Sequence, residues 1–304
     1  MKPVIPDRFK ERYGQLVDDE EAFFTSLFRL LPKSFRVNTL KTKSKIINER
    51  FENYGITIKQ VPWYPDAFVS EDNAIGSTLE NFIGYIYIQE LTSMLPPLVL
   101  KEQLQSANFV LDSCAAPGSK TTQLAALMEN RGTIVANDIN YNRIRALKFN
   151  IEKTGTLNTV ITNWDLRFFP KNEFDIILVD APCSSEGTIR KNPTMLSKWT
   201  GKRIPGYANL QQQLIVKAFD LLKPSGYLVY STCTFAPEEN EGVVDWLLER
   251  RAATLEQITI PRMKLMPGVL EWNGTTFNQE LRKTIRIWPH HNDTDGFFLA
   301  KVRK

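Results

Sequence analysis

The sequence predicts an α/β fold: a doubly wound, mostly parallel sheet over residues 106–304, preceded by an N-terminal helix and a small α/β module over residues 1–105. Three observations predict it. From about residue 107, short apolar runs alternate with amphipathic helical runs, the pattern of an open sheet with crossover helices. One run, FDIILVDAP (174–182), is apolar almost throughout, as a strand covered on both faces must be. The 304 residues suit two domains, and about five strand–helix units with a terminal hairpin are too few for an eight-fold barrel.

Taken in order, DRFKERYGQLVDDEEAFFTSLFRLL has apolar residues at helical spacing and stops before Pro32, which predicts helix over residues 1–30. SFRVNTL (34–40) reads as a strand, KSKIINERFENYG as a helix closed by Gly55, and ITIKQVPWY as a second strand, a βαβ arrangement over about 34–70. Residues 83–100 read as a strand running into a helix interrupted by Pro96 and Pro97. In the second domain NFVLDS, TIVANDI, NTVITNW, FDIILVDAP and GYLVYST are strands. SKTTQLAALMEN, NRIRALKFNIEKTG, LQQQLIVKAFDLLKPSG and EENEGVVDWLLER are helices, and KTIRIWP with GFFLAKVRK closes the sheet as a pair.

Composition narrows the class. Hydrophobic residues make up 42% and charged ones 24%, enough apolar material for a sizeable core. No run of 18 apolar residues predicts a membrane span. The start, MKPVIPDRFKERYG, lacks the apolar stretch of a secretory signal, so a cytoplasmic protein is expected, or a nuclear one in a eukaryote. Net charge is +4, with Arg36, Lys41, Lys43, Lys45, Arg50 and Lys59 within 34–59 and five basic residues against Glu186 within 186–205. Such stretches suit a polyanionic partner, although solvated surface charge gives the same pattern. Three cysteines without a CxxC pair, and only His290 and His291 as histidines, argue against a disulfide framework and against a metal site.

The first strand of the second domain runs into LDSCAAPGSKTTQL (111–124). A turn of small residues after such a strand lets a cofactor approach the backbone, and the helix behind it offers free N–H groups to an anion. The turn matches neither GxGxxG nor the P-loop, so a single-nucleoside cofactor with a small anion, S-adenosylmethionine, fits better than a dinucleotide. Asp138 follows Gly118 by 20 residues, the usual place for a carboxylate on ribose hydroxyls. Asp165, after the third strand, suits the adenine amino group. Singly, each acid reads as a helix cap. Asp112, Asp138, Asp165 and Asp180 at successive strand ends read as a ligand edge.

Cys183, in DAPCSSEG, and Cys233, in YSTCTFAPEEN, follow the fourth and fifth strands in loops rich in Pro, Ser, Thr and Glu. A thiolate beside a methyl donor suggests covalent activation of an electron-poor ring. Cytosine is such a ring: addition at carbon 6 makes carbon 5 nucleophilic, Asp180 could assist at ring nitrogen 3, and a second cysteine could aid release.

These stretches, with FRVNTLK (35–41), YIQELTSMLPPLVL (87–100) and RIWPHHNDTDGFFLAKV (286–302), closely resemble the RNA cytosine-5 methyltransferases of the Sun-domain type, which act on tRNA and ribosomal RNA. The resemblance covers about 34–304. It implies a Rossmann-like methyltransferase domain in which Cys233 is the nucleophile and Cys183 assists release. It implies that Asp180 contacts the cytosine and that Lys120 lies near the base. S-adenosylmethionine would be held by Cys114, Ala115, Ala116, Pro117, Gly118, Ser119, Lys120, Asp138 and Asp165, with Asp180 and Arg143 as further contacts. Cys114 is then a loop residue and not a third nucleophile. RNA would meet Arg36, Lys41, Arg190, Lys191, Lys198 and Arg203, and Trp63, Tyr64 and Trp199 are candidates for stacking. The chain ends soon after its last strand with no further RNA-binding module, which favours a compact substrate, tRNA over rRNA, and a monomer. A DNA cytosine-5 methyltransferase is disfavoured because Cys233 would have no task. A non-catalytic RNA-binding assembly factor is disfavoured because Cys233, Asp180 and the first turn are all present.

Overall fold

The computed structural model describes residues 4–304, which form two compact units interleaved in sequence. One comprises Pro32–Asp180 and Leu221–Tyr227; the other comprises the chain up to Leu31, Ala181–Asp220 and Leu228–Lys304. The strand Leu222–Thr232 has its first half in one unit and its second half in the other.

In the first unit, four parallel strands stand in the order Phe174–Asp180, Phe109–Asp112, Thr133–Asn137, Thr159–Thr162. This is the predicted Rossmann-like arrangement. Phe174–Asp180 buries Ile176 to Val179 without interruption, which is why it shows no alternation in sequence. Between the strands run the helices Ser119–Leu127 and Tyr141–Thr154. The second begins where Asn140 accepts hydrogen bonds from the Asn142 and Arg143 N–H groups, and it ends at Gly155 with φ 72°.

The same unit carries a second sheet, ordered Lys59–Val61, Tyr64–Ser70, Lys33–Val37, Ile86–Ile88, and every pairing in it is antiparallel. The expected βαβ arrangement is corrected here. ITIKQVPWY is not one strand: the chain turns at Pro62–Trp63 and returns as Tyr64–Ser70, so the neighbours are hairpin-related. The helix Ser44–Asn53 buries Ile47 and Phe51 against Phe35, Val37, Phe68, Ile75 and Ile86. Phe35 and Phe68 sit directly opposite across the strands, with stacked rings 5.5 Å apart.

In the second unit, the expected single N-terminal helix is two, Asp7–Gly14 and Glu20–Ser26. Asp19 restarts the helix by accepting the Ala22 N–H at 2.9 Å. Their apolar faces bury Phe9, Tyr13, Phe23 and Leu27 with Ile189, Leu196, Phe235 and Trp288. The closing pair is antiparallel, Ile285–Ile287 against Phe297–Arg303, with the edge strands Met266–Pro267 and Thr254–Glu256 added. Helices Ile204–Asp220 and Glu241–Arg250 lie in the same unit. No helix among the described residues is long and apolar enough to cross a membrane.

Candidate active site

In the first unit the turn after Phe109–Asp112 is shaped by its own backbone. Gly118 sits at φ 108°, a conformation L side chains avoid, and an added Cβ would come within 3.1 Å of Leu147. The helix Ser119–Leu127 begins directly behind it. Asp138, 2% exposed, accepts the Ala116 N–H at 3.1 Å and the Asn140 N–H at 2.8 Å. Arg143 pairs with Asp138 at 3.4 Å and donates to the Ala116 carbonyl, so it fastens the turn. Asp165 caps the short helix Leu166–Phe168 and is held in a two-toothed pair with Arg167, which lowers its pKa.

Asp112 is fully buried. Its Oδ2 accepts from Thr121 at 2.6 Å, while Oδ1 has no hydrogen-bond partner. Burial pushes its pKa up to about 7. Lys120 donates to Ser93 at 2.8 Å and to Asp180 Oδ2 at 2.7 Å, fixing the carboxyl at the end of Phe174–Asp180. Burial pushes the Cys114 thiol up to about 12, so it stays protonated at neutral pH.

In the second unit, Cys183 and Cys233 lie with their sulfurs 3.3 Å apart, and both sulfurs approach the Ser185 hydroxyl, at 3.7 and 3.6 Å. Both residues remain partly exposed. The Cys183 thiol is raised well above its ordinary pKa, first by its contact with Cys233 and then by burial. The loops bearing them are fixed by backbone: Ala181 N–H donates to Ser231 O and Gly187 N–H to Cys233 O, each at 2.9 Å. Gly187 cannot carry a side chain, because a Cβ would lie 2.3 Å from Gly296 O and 2.8 Å from Cys233 O.

Around the cysteines is a carboxyl network that sequence reasoning missed. Glu186 and Glu239 are both buried and both contact the Ser184 hydroxyl. Glu239 also accepts from the Ser184 N–H at 3.1 Å and from Gln211 at 2.8 Å, and burial pushes its pKa up to about 7. Glu239 belongs to a stretch that patterns as the opening turn of a helix, where glutamate ordinarily faces water. Only its place six residues after Cys233 could have drawn attention to it. A cavity of about 400 Å³ opens beside this network, lined by Ser184, Glu186, Asn192, Lys198, Trp199 and Arg203 among others.

The expected phosphate contacts divide. Arg36 is 1% exposed and donates to Gln89 and Thr122. Arg190 is 5% exposed and donates to the carbonyls of Arg29, Leu30 and Thr294 and to Asp293. Both guanidinium groups are engaged inside the fold, so the expectation that they meet RNA phosphates is corrected. Lys41 donates to the Ile83 and Lys153 carbonyls, and Lys191 pairs with Asp295 at 2.8 Å. Lys198 and Arg203 are exposed on the cavity wall. Of the aromatics, Tyr64 is buried, and Trp199 packs against Phe9 and Tyr13 while donating to Glu186. Among the described residues, one trio could share a metal ion, Asp18, His290 and His291; Lys264 already places its ammonium 2.8 Å from Asp18 Oδ2.

A parallel Rossmann-like sheet with a small-residue turn and an acid after its second strand, in a chain that also pairs two cysteines, defines the methyltransferase class. The chain belongs to the 16S rRNA methyltransferase RsmB/F family, whose model matches residues 98–303; the model for the N-terminal domain of 16S rRNA methyltransferase RsmF matches 5–91. It is 43% identical to the tRNA (cytosine(49)-C(5))-methyltransferase of Pyrococcus abyssi, over 99% of this chain and 96% of that one. It is 39% identical to the ribosomal RNA small subunit methyltransferase F of Vibrio parahaemolyticus, spanning 63% of that longer chain. Among solved structures, a methyltransferase homolog from Pyrococcus horikoshii matches with TM-score 0.87 at 36% identity, covering 98% of this chain and 95% of that one. The NSun6 of the same organism, solved with SFG, matches with TM-score 0.85 at 25% identity, covering 98% of both chains.

Proposed function

We propose that the protein transfers a methyl group to carbon 5 of a cytosine in RNA, with Cys233 as nucleophile. The observation that carries this reading is the pair of partly exposed cysteines with sulfurs 3.3 Å apart. S-adenosylmethionine fits the first unit: Gly118 gives the turn a backbone conformation that leads straight into the helix, the helix behind it presents N–H groups, and Asp112 keeps an unpartnered buried oxygen. The turn Cys114–Lys120 with Asp138 and Asp165 would hold it. Asp138 has lone pairs left after accepting two N–H groups. When bound, the cofactor supplies an electrophilic methyl group.

This chain's residues then act as follows. Cys233 adds as thiolate to carbon 6 while Asp180, oriented by Lys120, stabilises the ring at nitrogen 3. The electron density gained at carbon 5 is used to form the new carbon–carbon bond. Once the Cys233 sulfur is bound to carbon 6, Cys183 as thiolate takes the carbon 5 proton and becomes a thiol; the electron pair returns to the ring, the carbon 6–sulfur bond breaks, and Cys233 leaves as thiolate. Cys183 thereby assists the release.

tRNA is the favoured substrate. What supports this is the likeness itself, 43% identity to the tRNA enzyme of Pyrococcus abyssi against 39% to the Vibrio rRNA enzyme. Bisulfite sequencing of RNA from cells with and without the protein tests both points: a protected cytosine in tRNA supports the reading, one in rRNA moves the substrate, and none in any RNA overturns it.

A further inference from the structure

The carboxyl network beside the cysteines has no task in the reaction just described, and its hydrogens can be counted. Three contacts to carboxyl oxygens join it: Ser184 to Glu186 at 2.5 Å, Thr234 to Glu186 at 2.5 Å, and Ser184 to Glu239; a fourth contact, Ser184 to Thr234 at 2.9 Å, closes a triangle of the two hydroxyls with the Glu186 oxygen they share. Each of the three carboxyl contacts needs one hydrogen between its oxygens, while the two hydroxyls approach each other because both donate to the same Glu186 oxygen. The two hydroxyls supply two. The third must be a carboxyl proton, and Glu239 Oε1 is the place for it. Ser184 then donates to Glu186, Thr234 donates to Glu186, and Glu239 donates to Ser184. The other oxygen of Glu239 is an acceptor throughout, taking the Ser184 N–H and the Gln211 amide.

The neighbouring groups agree with one neutral and one charged acid. Glu186 also accepts from Trp199 at 3.0 Å and Tyr13 at 3.3 Å, so donors converge on it as they would on an anion. No lysine or arginine pairs with either acid among the ion pairs of the described residues; Arg12, the residue before Tyr13, pairs with Glu238, and Arg286 pairs with Glu241. Tyr230 donates to the Glu239 backbone carbonyl, not to its carboxyl. Two buried carboxylates bridged by one hydroxyl cannot both ionise cheaply.

We propose that Glu186 and Glu239 form a one-proton carboxyl pair bridged by Ser184, and that neutral Glu239 is the positioning residue that holds the Cys183 and Cys233 loops in register. The link is covalent on both sides: Ser184 follows Cys183, and Thr234 follows Cys233. The proposal rests on the methyl-transfer reading. When Glu239 loses its proton to water, the three carboxyl contacts are left with two hydrogens and one must open. A second negative charge also appears where a thiolate is to form. Burial already places this ionisation near neutrality. Activity therefore falls on the alkaline side, against the rise expected from thiol ionisation.

Glu239→Gln is the informative variant. Its amide nitrogen copies the protonated oxygen and donates to Ser184, while its carbonyl oxygen keeps the Ser184 and Gln211 hydrogen bonds. The test is kcat and KM for substrate RNA between pH 6 and pH 9 for the wild type, Glu239→Gln and Glu239→Ala, with folding checked by thermal melts. The wild-type kcat should fall by about tenfold per pH unit once Glu239 ionises. Glu239→Gln should be active at neutral pH and lack that fall; Glu239→Ala should lose kcat at every pH with KM for RNA little changed. A Glu239→Gln that keeps the alkaline fall, or is as inactive as Glu239→Ala, overturns the proposal. Infrared difference spectra across the same titration read the pair without turnover. A protonated-carboxyl band lost in Glu239→Gln supports the pair even if the wild type methylates no RNA, and its absence from the wild type refutes it.

Discussion

Asp112 shows how a single buried acid couples the first unit's stability to pH. Its folded pKa, near 7, lies above the ordinary value of 3.8, so the folded state holds a proton that the unfolded chain has released. Stability contributed by this group is therefore complete below pH 4 and declines as pH rises towards 7. Asp112→Asn copies the protonated form and removes the decline. It should stabilise the protein by on the order of 1–3 kcal/mol at pH 8 and by almost nothing at pH 3.5, measured by urea unfolding. A variant less stable at pH 8 than the wild type would show that the carboxylate is charged and satisfied in the fold. The single residues that the sequence made legible were those whose chemistry is rare: two cysteines after strand ends and a glycine turn. Arg36 and Arg190 misled because basic residues in a basic stretch usually face water, and sequence carries no sign that Gln89 and Thr122, or the carbonyls of Arg29, Leu30 and Thr294, wait for them.

Among the elements, the loop from Cys233 to the helix Glu241–Arg250 depends on one buried ion pair. Arg286 reaches Glu241 through Nε at 2.6 Å and through a second nitrogen at 2.5 Å, and it donates to the Phe235 carbonyl at 2.9 Å. Removing one partner of such a pair leaves an uncompensated buried charge, so Arg286→Ala should cost roughly 3–5 kcal/mol. The double variant Arg286→Met with Glu241→Leu should recover much of that loss in chemical denaturation. Equal losses in the single and double variants would mean that packing, not charge, governs the loop. Elements with a long apolar period were readable in advance, and all four parallel strands stand where the pattern put them. The hairpin at Pro62–Trp63 and the break between the N-terminal helices were not. In each, a short turn sits inside a run whose hydrophobic pattern continues through it, and only the tertiary pairing of Tyr64–Ser70 with Lys33–Val37 separates the two readings.

At the scale of the whole molecule, RNA binding should rest on phosphate contacts and weaken steeply with salt. Lys198 and Arg203 are exposed, so Lys198→Ala should lower the slope of log affinity against log salt by about one unit. Arg36→Met, by contrast, should leave the slope unchanged while destabilising the fold. A slope insensitive to Lys198 would remove this cavity from the RNA surface. The central claim is the division of labour between the cysteines, and one denaturing gel tests it most directly. Wild type, Cys233→Ala and Cys183→Ala are each incubated with substrate RNA and S-adenosylmethionine, denatured and resolved. Cys233→Ala should yield neither adduct nor methylated RNA, because no bond to carbon 6 forms. Cys183→Ala should accumulate a denaturation-resistant RNA–protein adduct as turnover falls, because release stalls after attack. An adduct from Cys233→Ala and none from Cys183→Ala would contradict the account and make Cys183 the nucleophile.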